Sequence, residues 1–170
     1  NGVSRDYGFW LGYSRANVVR GNIVLGSRTA GVAIEHGGET TLAENTIIGG
    51  ETGIRLFAPR PEDEPSTDYR VDDNTIAQVG RGIVLERTSR SRIRGNLFDG
   101  VGDGLVVDGA GSGSQVAGNV FLSARRWLID AVELDAGGNF WGPPDVAQAQ
   151  RQVRGRVVLQ PFRHAQDAGY

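Results

Sequence analysis

The chain has 170 residues, 18 basic and 20 acidic side chains, and a net charge of −2. That near balance gives no reason to expect nucleic acid or an anionic membrane as a partner, and the length suits one domain. Cys, Met and Lys are absent and all 18 basic residues are Arg, which excludes disulfides, zinc thiolates, thiol nucleophiles, Schiff bases and a phosphate-loop lysine.

In chain order, two elements alternate. The first opens with Gly and continues with alternating inward apolar and variable residues: Gly8-Phe-Trp-Leu11, Gly31-Val-Ala-Ile34, Gly53-Ile-Arg-Leu56, Gly82-Ile-Val-Leu85 and Gly104-Leu-Val-Val107. This two-residue period is that of a half-buried strand. The second centres on an Asn with an apolar residue two places later: Asn22, Asn45, Asn74, Asn96, Asn119 and Asn139, at intervals of 23, 29, 22, 23 and 20. Apolar residues also sit three places before the first five of these. The 29-residue interval marks an insertion at about residues 58–69, polar and Pro-rich. No apolar run reaches the ~20 residues of a membrane span, and no helical periodicity persists beyond about a turn.

Short strands, Gly turns and a period near 22 predict an all-β chain, a single-stranded right-handed parallel β-helix (solenoid) of about six rungs spaced ~4.8 Å apart. Rungs are expected over 1–142 and a carboxyl-terminal cap over 143–170, with Trp141, Pro143, Pro144, Pro161 and Phe162 covering the last edge. The Asn residues are expected to take the left-handed conformation at tight bends and to bond one another as a ladder. Replacing Asn96 is expected to cost less than replacing the core residues Phe98 or Ile83. The register is ambiguous near Arg125–Asp130, where the Gly marker is missing. The first rung, reached by Phe9, is expected to be covered by further sequence or by another subunit.

The runs NVVRGNIV, SRIRGNLF and SQVAGNVF, alternating with GVAIE, GIVLE and GLVVD, resemble right-handed parallel β-helix repeats. That group includes NosD-type periplasmic proteins and carbohydrate-binding or sugar-hydrolase modules, and pectate lyases share the architecture. The resemblance implies a periplasmic or extracellular location and either a polysaccharide ligand, a structural role within a larger envelope protein, or a NosD-like maturation role. It also implies copper handling, for which the sequence offers only His36 and His164 as soft or borderline donors.

In-register rungs place residues of equal offset in columns. Trp10, Tyr13, Glu35, His36, Arg55, Phe57 and Glu86 are thereby expected on one outer surface beside the insertion. Trp10, Tyr13, Arg55 and Phe57 are candidates for stacking on sugar faces and pairing acidic sugars. Glu35, His36 and Glu86 are candidates for catalysis by two open routes, glycoside hydrolysis by paired carboxylates or lyase and epimerase chemistry with His36 or Tyr13 as base. No diagnostic catalytic motif accompanies them, and a solvated, ion-paired face is the simpler reading of the charges. Glu62, Asp63, Glu64 and Asp68 supply hard oxygen ligands of the kind calcium takes, though an acidic Pro-rich loop is more often simply solvated. No other cofactor or metal is expected.

Overall fold

The computed structural model describes residues 6–60, 62, 66–108, 113–143 and 145–169. All ladders are parallel, and the chain forms a β-solenoid of about six turns with almost no helix. Each turn combines a short and a long segment. The short strands Val18–Arg20, Thr41–Ala43, Arg70–Asp72, Arg92–Arg94 and Gln115–Ala117 stack as a five-stranded sheet. The long ones, including Ile23–Glu35, Thr46–Phe57 and Thr75–Glu86, bend around a corner and belong to an eleven-stranded sheet. The two elements legible in the sequence are thus often one bent strand. The pairing of the first two has a register irregularity between Ser27 and Ala30.

The columns run as the spacing predicts. Phe9, Val32, Ile54, Ile83, Leu105, Ile129 and Val153 are successive register partners, as are Leu11, Ile34, Leu56, Leu85, Val107 and Ala131. These two columns face inward, and from the second rung to the sixth their side chains are buried. A third inward column follows the Asn residues and becomes aromatic toward the carboxyl end. Phe98 stacks on Phe121 at 4.6 Å and Phe121 on Trp141 at 4.9 Å, within 5° and 10° of parallel. Stacking identical positions every ~4.8 Å favours flat rings in this column. At Gly82 the same closeness forbids a side chain: an added Cβ would lie 2.4 Å from the Gly104 carbonyl oxygen and 2.7 Å from the Phe98 ring.

The Asn ladder is continuous. Each of Asn22, Asn45, Asn74, Asn96 and Asn119 donates its backbone N–H and its Nδ2 to the Oδ1 of the next Asn, at 2.8–3.1 Å. From Asn45 onward, Nδ2 also donates to a carbonyl of the preceding rung, such as Val71 for Asn96 at 2.7 Å. One expectation needs correction. The left-handed residue is the one before the Asn, namely Gly21, Glu44, Asp73, Gly95, Gly118 and Gly138, each at φ 56–75°. That leaves the Asn side chain free to serve the ladder. Asn96 is also fully buried, so removing it would orphan several buried groups at once.

Near Arg125 one extra residue is accommodated by a bulge: Val101 partners Ala124, whereas Asp103 partners Trp127. In the segment expected as the cap, Asp145 caps the helix Val146–Arg151 by accepting from Gln148 N–H at 2.7 Å. Strand Val153–Val158 then pairs with Ala124–Asp135, and Arg163–His164 with Phe140–Trp141. Trp141 is wholly buried within the aromatic column, with Phe162 following it at 6.4 Å. Pro144 lies outside the described residues. At the opposite end, Phe9, Val18, Ile23 and Leu25 of the first rung are exposed.

Candidate functional site

The outer surface anticipated from the columns is assembled by the register. Trp10, Ala33, Arg55, Val84 and Val106 are successive partners, and beside them run Gly12, Glu35, Phe57, Glu86 and Asp108. Alternation along each strand sends both columns outward. The next position closes the strand in a left-handed turn, with Tyr13, His36 and Arg87 at φ 52°, 49° and 52°.

Two aromatic rings lie on this surface in fixed poses. Trp10 is 51% exposed, and its indole folds back over Gly12, where an added Cβ would stand 2.6 Å from the ring. Glycine at position 12 therefore leaves the space the indole occupies. Tyr13 is 72% exposed and stacks on His36, with ring centroids 4.6 Å apart and planes 15° from parallel. The imidazole Nδ1 lies 3.7 Å from the Glu35 carboxylate.

The rest of the cluster is self-paired. Arg55 donates from Nε and Nη2 to the two oxygens of Glu86 at 3.1 and 2.7 Å. Its guanidinium also lies 4.3 Å above the Phe57 ring. Phe57 is consequently buried in a small outer cluster with Ala30 and Ala33, and its face is occupied by Arg55 rather than open for stacking. Glu35 and Glu86 sit two rungs apart across Phe57. That is ~9.6 Å by strand spacing, outside the retaining separation and at the far limit of the inverting one.

Of the calcium candidates, Asp63 and Glu64 lie outside the described residues and Glu62 is exposed. Asp68 is engaged: it accepts from Arg90 at 3.0 and 2.8 Å and from Thr67 at 2.6 Å. These donors pull its carboxyl down to about 2. Among the described residues no three His, Asp or Glu side chains gather where they could hold a metal.

Sequence reasoning missed the charge pattern on the short-strand sheet. Arg15 pairs with Glu39, Arg20 with Glu44, Arg90 with Asp68 and Arg92 with Asp72, each across to a neighbouring rung. The available signal was the recurrence of opposite charges 20 to 24 residues apart, one period of the coil.

The sequence profile of the family described as "Periplasmic copper-binding protein (NosD)" matches residues 1–150. The chain belongs to the NosD family. This is a family of right-handed β-helices, in agreement with the coil. No curated protein and no solved structure matches the chain. The family description raises copper, but the donors of this NosD-family chain do not fit a resident copper ion. Soft thiol and thioether ligands are absent, and His36 and His164 are the only imidazoles. His36 follows the strand Ile23–Glu35, and His164 lies in a strand six steps from that one in the main sheet, ~29 Å along the axis.

Proposed function

We propose that this NosD-family coil is an extracytoplasmic recognition module that holds an acidic polysaccharide across the outer face of Trp10, Tyr13 and Arg55, without processing it. The observation that carries this reading is the pair of exposed aromatic rings pinned flat, Trp10 on Gly12 and Tyr13 on His36. Rings held in place lose little freedom on binding, and flat apolar faces suit the C–H faces of sugars. Arg55 keeps its Nη1 hydrogens for a sugar carboxylate while Glu86 holds Nε and Nη2. Binding is favoured over hydrolysis because Glu86 is committed to Arg55 and stands ~9.6 Å from Glu35.

The test is an array of neutral and acidic oligosaccharides probed with the wild type, Trp10→Ala, Tyr13→Ala and Arg55→Ala, with product analysis of any bound glycan. Selective capture of acidic chains, lost in Trp10→Ala and released unchanged in length, is expected. Equal capture by all four proteins would remove the reading.

A second reading is favoured by the family match: a rigid scaffold in a periplasmic assembly, in which any copper is carried by a partner protein. It differs in its ligand, which is a protein surface. Cross-linking in the native envelope that joins position 10 or 13 to a protein, with no glycan captured on the array, would favour it over the first.

A further inference from the structure

The short-strand sheet carries a second outward surface, a corner away from Trp10. Two columns meet there. One is the left-handed position before each short strand, Ala16, Glu39, Asp68 and Arg90, at φ 48–62°. The other is the first residue of each short strand: Val18, Thr41, Arg70, Arg92 and Gln115 are successive register partners. Between them lies a cavity of about 450 Å³ whose lining includes Glu39, Thr41, Asp68, Arg70, Arg90 and Arg92.

Each carboxylate at this cavity already has its guanidinium. Glu39 accepts from Arg15 at 2.9 Å, and Asp68 accepts twice from Arg90. Arg92 is held by Asp72, next to the cavity. Arg70 differs: it is exposed and makes no ion pair among the described residues. Its register neighbours are the Thr41 hydroxyl on one side and a second guanidinium, Arg92, on the other. Like charges placed opposite one another in a sheet repel, and a counter-ion between them relieves that repulsion. Arg90 spends Nε and Nη2 on Asp68, which leaves its Nη1 hydrogens.

We propose that this cavity is an oxyanion site, with Arg70 as its central charge and Thr41 and Arg90 as flanking donors, for a sulfate group or the carboxylate of an acidic sugar. A guanidinium fork suits both, because each offers two oxygens in one plane. The inference stands on residues separate from Trp10 and Tyr13 and survives if the glycan face fails.

The test follows the arginine Nε–Hε signals of the protein in low-chloride buffer while inorganic sulfate, or separately tri-galacturonate, is added. A saturable shift at Arg70 and at Arg90 with at least one of the two anions is expected, weakening as salt is raised. Followed at the Arg90 signal, Arg70→Gln should weaken binding about tenfold and Arg70→Lys by less, since Lys keeps the charge but loses the fork. Arg94→Gln, on the same sheet but outside the cavity, should leave it unchanged, as should Trp10→Ala. No saturable shift with either anion, or the same Arg90 shift in Arg70→Gln as in the wild type, would overturn the site. Because Arg70 is exposed and makes no ion pair, its variants should keep the wild-type melting temperature.

Discussion

Trp10 and Gly12, two residues apart on one strand face, form a single unit: the indole covers the position where any larger residue at 12 would place its Cβ, 2.6 Å from the ring. The exposed aromatic is thereby held on the sheet instead of standing off it. Gly12→Ala should therefore act on Trp10. Its backbone is not in the left-handed region, so Ala costs no backbone strain and only the ring must move. The expected outcome is a changed tryptophan emission and ligand binding weakened toward the Trp10→Ala level, with little change in melting. Unchanged emission would show that the ring does not rest there.

The ladder makes a second prediction. Asn96 accepts from Asn74 and donates to Asn119 and to the Val71 carbonyl, all buried. Orphaning a buried polar group costs about 1–3 kcal/mol, so Asn96→Ala should cost about 3 kcal/mol or more. Phe98→Ala, which empties one place in the aromatic column, should cost about 3–5 kcal/mol. Denaturant titration of both variants checks this. A loss below about 1 kcal/mol for Asn96→Ala would mean that water replaces the ladder bonds.

Asp68 gives a pH prediction. Hydrogen bonds from Arg90 and then Thr67 depress its carboxyl to about 2, below the ~3.9 of an unfolded Asp. A depressed acid contributes stability that is present above pH ~4 and is lost as pH falls through about 2. Because the pair is exposed, that contribution is small, and the clean readout is the titration itself. The Asp68 carboxyl signal should move toward its ordinary midpoint in Arg90→Gln. No movement would show that the pair does not persist in solution.

Copper provides a fourth. With no Cys or Met and two separated imidazoles, the chain should retain well under one copper per molecule after incubation with Cu(I) or Cu(II) and dialysis. Metal analysis by mass spectrometry reads this directly. One tightly held copper per chain would contradict the donor argument.

Much of the fold was legible because a coil repeats its constraints. Asn, Gly and apolar residues recur every 20 to 29 positions, and equal offsets became register partners. Side-chain lean was not legible. Phe57 occupies an outward position, yet Arg55 lies across its ring, and offset alone does not reveal that two neighbours cover a third. The left-handed residue before each Asn was misplaced by one because Gly, Glu and Asp share that role. The Arg70 cavity was missed for a related reason. Its charges come from three rungs, and their meaning appears only once Arg15, Arg90 and Arg92 are seen to be paired.

The proposed role of the Trp10 and Tyr13 face is to grip an acidic glycan. Calorimetric titration of galacturonate oligomers of increasing length into the wild type and Trp10→Ala reads that grip. Saturable heat is expected in the wild type, strengthening with oligomer length and disappearing in Trp10→Ala. Indistinguishable heats for the two proteins, or none for either across acidic glycans, would contradict it.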